Sequence, residues 1–203
     1  MMKVYEKRNN NDIMCSIMRY KKDEDSALTK IYNATAELIK DTDYNKINNT
    51  TIIKKAGISR STFYIYFKNK DQIFTHICDD TFNHVFDKHL SKEKYHDFSK
   101  EDPEELKHLI THSYCHFLED KDLILPILNS GASNLFLKQL RKRLKPLITS
   151  MINKKILGKN EIPLDIKVHQ YINGYVALLQ YYLRHASDTD PEIISGYYFD
   201  FYK

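Results

Sequence analysis

Residues 56–70 read AGISRSTFYIYFKNK, and they constrain the fold more than any other stretch of the chain. Phe63, Tyr64, Tyr66 and Phe67 fall within five positions, beside Arg60, Lys68 and Lys70, with no acidic residue among them. So many rings demand burial, and so many cations demand water. A short helix meets both demands if its faces divide the work. Phe63 and Phe67 are four apart and share a face, with Ile58 just before them, so they can dock on neighbouring helices. Arg60 and Tyr64 form a second stripe and Thr62 and Tyr66 a third, both turned away from the phenylalanines. The outward side is a display of hydroxyls, phenols and a guanidinium.

The flanking residues complete a unit around this helix. Asn48 is a candidate N-cap for a short helix through Thr51, Ile52, Lys55 and Ala56; Gly57 ends it, and Ser59 caps the next, which runs to about Phe67. A turn at KNK leads into a longer helix from Asp71 towards His89, carrying Ile73, Phe74, Ile77, Phe82, Val85 and Phe86. Upstream, Leu28, Ile31, Tyr32, Thr35, Leu38 and Ile39 recur at helical spacing between Asp25 and Lys40, and Asp23 to Ser26 suit the start of that helix. Two short helices joined at a glycine are a helix-turn-helix, whose second helix enters the major groove of DNA. The displayed groups fit: Arg bonds guanine bidentately, Thr methyls and tyrosine rings touch thymine methyls, and hydroxyls, Lys amines and a helix N-terminus take phosphates. Charge agrees as well. Lys46, Lys54, Lys55, Arg60, Lys68 and Lys70 are six cations with no acid between Tyr44 and Lys70, more than the whole chain's net charge of +4. The positive charge is therefore local.

The run TTIIKKAGISRSTFYIYFKNKDQIF resembles the signature of the TetR family of bacterial transcription regulators, over about residues 24–84. In that pattern an Ala-Gly-aliphatic-Ser turn precedes a helix that ends in an aromatic-Tyr-x-aromatic-Phe stretch and a following Lys. The resemblance implies a DNA-binding set of Asn48, Thr50, Ser59, Arg60, Ser61, Thr62, Tyr64, Tyr66 and Lys70, with Thr50 meeting backbone or base edges and Lys70 holding a phosphate. Asn48 replaces a usual threonine and still caps; Ile53 replaces a usual alanine, which widens the packing of the first helices. YINGYVALLQYYL followed by DTDPEII is similar to one subclass of TetR C-terminal domains, in which the last two helices pair with their copies in a four-helix dimer interface. Tyr175, Leu179, Tyr182, Ile194 and Tyr198 are the dimerisation residues expected, and charge inserted at Leu179 or Tyr198 should give monomers. The resemblance also implies a homodimer on a palindromic double-stranded operator, repression relieved by a small-molecule effector, and no cofactor. A co-activator of the same fold that contacts a protein partner and takes no effector is the alternative.

The rest of the chain reads as one all-α fold, a three-helix DNA-binding module followed by a larger helical effector-binding and dimerisation domain over 85–203. With 203 residues, five glycines and five prolines, long helices are expected. Residues 1–23 lack helical period and are expected to be a mobile leader, with Met14 or Met18 as alternative starts; 91–103 read as a linker. Pro103 opens a helix on Leu106, Leu109, Ile110, Ser113 and Phe117, and Leu123 to Asn129 is a short apolar segment around Pro126. A long helix from about Ser133 to Leu157 must kink or split at Pro146, with Gly158 suited to its C-cap. Two last helices, Leu164 to His185 and Pro191 to Tyr202, are apolar on more than one face, which implies a partner surface.

Other features read as ordinary. His108, His112 and His116 recur every four residues, a spacing that can hold a metal, but they lie off the Leu106, Leu109, Ile110 and Phe117 face and are expected to be a solvated stripe without metal. Lys138, Arg141, Lys142, Arg143 and Lys145 sit mostly opposite Leu137, Leu140, Leu144 and Leu147 and read as a solvated face. The aromatic residues of the C-terminal half suit either a plain core or a pocket. Three widely spaced cysteines, Cys15, Cys78 and Cys115, argue against a disulfide framework and suit a reducing cytoplasm; no apolar run reaches the length of a membrane span, and residues 1–22 hold no apolar segment of the kind a secretory signal requires, so export is not expected. There is no nucleophile elbow, P-loop or HExxH motif, so an enzyme is not expected.

Overall fold

The computed structural model describes residues 25–86, 103–158, 161–185 and 189–201, and every regular element among them is helical. α1 (Ala27–Asp41), α2 (Asn49–Ala56), α3 (Arg60–Tyr66) and α4 (Lys70–Phe86) make the N-terminal part, with a single 3-10 turn at Tyr44–Lys46. α5 (Pro103–Glu119), α6 (Lys121–Leu128), α7 (Ser133–Asn153), α8 (Leu164–His185) and α9 (Pro191–Asp200) make the rest. The expected leader 1–23, most of the expected linker and Tyr202 lie outside the described residues.

The N-terminal helices start where the caps dictate. Ser26 accepts from the Thr29 amide at 3.2 Å and opens α1, whose buried stripe of Ile31, Tyr32, Thr35 and Ile39 faces α2, α3 and α4. α4 straddles the two parts. Its first half lends Ile73, Phe74 and Ile77 to the N-terminal core, where Tyr44 packs 5.4 Å from Phe74; its second half sends Phe82 among Phe117 of α5 and Phe136 of α7, at 6.0 and 5.3 Å. These contacts belong to one continuous apolar core. α5 is the hub of the C-terminal part, with α4, α6, α7, α8 and α9 all packed against it.

Three local expectations are corrected. Of the kink or split expected at Pro146, the split does not occur: α7 continues through the proline, which sits on the exposed face, where the carbonyl deprived of its amide partner can be solvated. α7 also ends early, at Asn153, because Lys155 itself enters the left-handed region at φ 58°; Gly158, at φ 66°, serves a later turn. The positive φ favours glycine there, and a Cβ would also stand 2.5 Å from Tyr171 Oη, which would have to shift. The third correction concerns the histidines. His112 and His116 are buried, and only His108 is exposed. His112 Nδ1 donates to the Val85 carbonyl at 3.2 Å, which leaves its Nε2 to accept from His116 Nε2 at 2.8 Å. A wheel shows one apolar face of α5, but helices cover it on several sides. No group of three or more metal-ligating side chains occurs among the described residues.

Candidate nucleic-acid interface

The interface is built on two caps and one glycine. Asn48 Oδ1 accepts from the Thr51 amide at 3.0 Å while Thr51 Oγ1 accepts from the Asn48 amide at 3.1 Å, a reciprocal capping box that fixes where α2 begins. Gly57 closes α2 in the left-handed conformation, at φ 65° and ψ 34°, a geometry costly for any residue with a Cβ. Ser59 then caps α3, its hydroxyl accepting from the Thr62 amide at 3.0 Å. Phe63 and Phe67 anchor α3 from below: both are buried, and Phe67 lies 5.7 Å from the Tyr32 ring of α1.

The expected DNA-facing side chains fall into three groups. Thr50, Arg60, Ser61, Tyr64 and Tyr66 are exposed and Thr62 is half-buried, and Asn49, next to Thr50, approaches Tyr64, so the start of α2 adjoins the displayed side of α3. Asn48 and Ser59 lie on the same surface but act as caps. Ser59 Oγ also lies 2.8 Å from both Ser61 Oγ and Thr62 Oγ1, so these hydroxyls are tied to one another.

Lys70 is placed differently from the expectation of a phosphate ligand. Its ammonium donates to the carbonyls of Tyr44 at 2.5 Å and Ile47 at 2.8 Å and lies 4.3 Å from the Tyr44 ring centroid. It clamps the 3-10 turn that positions the start of α2. Tyr44 completes the clamp by donating to Asp71 Oδ1; burial first, and the Asp71 carboxylate second, push the phenol's pKa far up, so it stays a donor.

Two side chains escaped the sequence reading. Asn49 Nδ2 donates to the Lys68 carbonyl at 3.2 Å and approaches Tyr64 Oη at 3.5 Å, tying the start of α2 to the end of α3. Its signal was the doubled asparagine at 48 and 49, of which only one can cap. Ile65, 77% exposed, stands at the outer edge of α3. The wheel that placed the phenylalanines would have found it too. Among the basic residues of this window, Lys55 is held by Glu37 of α1 at 2.8 Å, whereas Lys46, Lys54, Arg60 and Lys68 are exposed.

The five residues expected to dimerise are not on a surface. Tyr175, Leu179, Tyr182 and Tyr198 are fully buried and Ile194 is 2% exposed, all within the protomer's own core. An all-round apolar helix does not reveal which face turns inward. Tyr175 stacks on Tyr114 at 4.7 Å, and Tyr182 and Tyr198 donate to the carbonyls of Thr189 and Tyr171. Other apolar side chains of the last two helices are exposed instead: Tyr181 on α8, and Ile193, Tyr197 and Phe201 at four-residue spacing along α9.

A glycine-turned helix pair, a displayed second helix and a run of exposed basic residues on an all-helical body define a helix-turn-helix DNA-binding regulator. Comparison with known proteins makes this specific. Residues 31–77 match the family model for bacterial regulatory proteins of the tetR family, and 104–202 match that for a transcriptional regulator C-terminal region. The chain belongs to the TetR family. It is similar to the HTH-type transcriptional regulator YvdT of Bacillus subtilis, at 34% identity over 58 residues, a match that spans 29% of this chain and 30% of that protein's length. In fold it is similar to a TetR transcriptional regulator from Streptococcus agalactiae, with a TM-score of 0.72 and 23% identity over 91% of this chain and 97% of that one. NalD of Pseudomonas aeruginosa, described as the secondary repressor of the MexAB-OprM multidrug efflux pump, is also similar, with a TM-score of 0.60 and 15% identity over 88% and 94% of the two chains. No helix among the described residues is long and apolar enough to cross a membrane.

Proposed function

We propose that the chain is a transcriptional repressor that binds a palindromic double-stranded operator as a homodimer and acts in the cytoplasm. The observation that carries the reading is the division of α3, with Phe63 and Phe67 buried and Arg60, Ser61, Tyr64 and Tyr66 exposed, in a stretch without acids from Tyr44 to Lys70. Arg60 reads guanine, the hydroxyls and phenols meet backbone and base edges, and Thr50 with the α2 N-terminus takes a phosphate.

Two copies meet through Tyr181, Ile193, Tyr197 and Phe201, whose exposure suits burial against a second copy. That contact would seat two α3 helices in half-sites roughly 34 Å apart, one turn of B-DNA. A small-molecule effector bound in the C-terminal part would favour the dimer state with the wrong half-site spacing and release the operator.

Selection of bound duplexes from a random pool by the purified protein tests the reading. A recovered inverted repeat, bound by a species of dimer mass in light scattering and released by a metabolite, supports it. Recovery of no sequence would sink it.

A further inference from the structure

The chain leaves one isoleucine outside its N-terminal core. Among residues 25–86, Ile31, Ile39, Ile47, Ile52, Ile53, Ile73 and Ile77 are buried and Ile58 packs against the core, whereas Ile65 is 77% exposed. Its position on α3 is not peripheral. At 3.6 residues per turn its Cβ points about 180° from the mean direction of Phe63 and Phe67, the two side chains that dock the helix. Ile65 is therefore the apex of the displayed face, flanked by Ser61 and Thr62, while Tyr64 and Tyr66 lie on the two helix shoulders and Arg60 stands at the first turn on the side nearer the phenylalanines.

Chemistry narrows what such a side chain can read. Isoleucine has neither donor nor acceptor, and β-branching fixes its χ1 in a helix, so it presents a rigid apolar surface. The major-groove edges of the bases offer one apolar group, the C5-methyl of thymine. Neighbouring hydroxyls do not compete for the apex, because Ser59, Ser61 and Thr62 are tied to one another at 2.8 Å. We propose that Ile65 is a sequence-reading residue that packs on a thymine C5-methyl in each half-site. The inference rests on the proposed DNA binding. It adds that one position of the operator is read for a methyl group and not for a hydrogen bond.

Deoxyuridine differs from thymidine by that methyl alone and keeps the base pair, so it isolates the contact. The probe is a duplex recovered by the wild-type protein from a random pool, remade with deoxyuridine at one thymine at a time. Wild-type binding should weaken by about 4-fold at one position per half-site, the effect expected from a single methyl's burial. Ile65→Ala should bind the parent duplex more weakly and lose its response to deoxyuridine at that position while keeping its responses elsewhere. Ile65 is exposed, so the variant folds; an unchanged circular dichroism melt confirms that the loss is at the interface. Wild-type binding indifferent to every deoxyuridine overturns the assignment, as does an Ile65→Ala protein that keeps the full response. Failure to recover any duplex overturns the DNA-binding reading with it, and is distinguishable from either result.

Discussion

Lys70 separates two accounts of the same basic residue. As a phosphate ligand, its loss would flatten the salt dependence of DNA binding and leave the fold intact. The geometry argues otherwise. One ammonium donates to the Tyr44 and Ile47 carbonyls at 2.5 and 2.8 Å and covers the Tyr44 ring at 4.3 Å. A hydrogen bond to a charged group contributes about 1.5–3 kcal/mol, and the cation–π contact about 0.5–1 at a partly exposed site. The two bonds share one charge and are not additive, so Lys70→Ala should destabilise the protein by about 2–4 kcal/mol. For a chain of this size that lowers the melting temperature by about 4–16 °C, readable by circular dichroism. DNA binding should weaken for all sequences alike because α2 loses its anchored start, with the salt slope unchanged. A melt within about 1 °C of wild type, together with a slope shallower by about 2 for a dimer, would refute the clamp and restore the phosphate ligand.

The other predictions are shorter. Tyr197→Asp, on the exposed stripe of α9, should give monomers by light scattering with its melt preserved, whereas Tyr198→Asp, fully buried, should fail to fold; a dimeric Tyr197→Asp would place the interface elsewhere. Arg60→Ala should lose about 1–3 kcal/mol for the selected operator and relax preference at a guanine, and an unchanged preference would remove that role. Stability should fall as pH rises through about 9–10 and beyond, because burial raises the pKa of Cys78 and Tyr175 above that of the unfolded chain. Both groups then hold a proton in the folded state that the unfolded state has lost, giving a slope of about 1.4 kcal/mol per pH unit for each. A flat urea midpoint between pH 8 and 11 would contradict it.

The N-terminal module was legible in the sequence because its signals are local. Capping residues, a glycine at a left-handed turn and a four-residue aromatic repeat each specify a neighbour within one helical turn, so α2 and α3 fall within a residue or two of expectation. The clamp that Lys70 forms was not legible because its partners, Tyr44 and Ile47, are more than twenty residues away. The histidines failed for the same reason, since the Val85 carbonyl that His112 meets belongs to another helix. The dimer residues failed through symmetry. Ile194 and Tyr198 face inward while Ile193 and Tyr197, one position earlier, face outward, and hydropathy does not distinguish two adjacent apolar stripes.

The join between DNA module and body bears on how one end could act on the other. The boundary expected near residue 84 falls within α4, which runs from Lys70 to Phe86. Its start carries the Lys70 clamp on the turn before α2, and its end sits in the Phe117 and Phe136 cluster, with Val85 bonded to His112. Arg143 of α7 meets Asp79 of α4 at 3.5 Å between these ends. A helix so held at both ends transmits a tilt and does not absorb it. From Phe82 back to Lys70 the helix is roughly 18 Å long at 1.5 Å per residue, so a tilt of about 5° displaces the clamp by about 1.6 Å. The two modules of a dimer would move oppositely, changing their separation by about 3 Å against a groove repeat of roughly 34 Å. In the proposed dimer, repacking around Phe82, together with the α1–α6 contact that also joins the module to the body, would shift a half-site without a break in α4 and without change within α2 or α3.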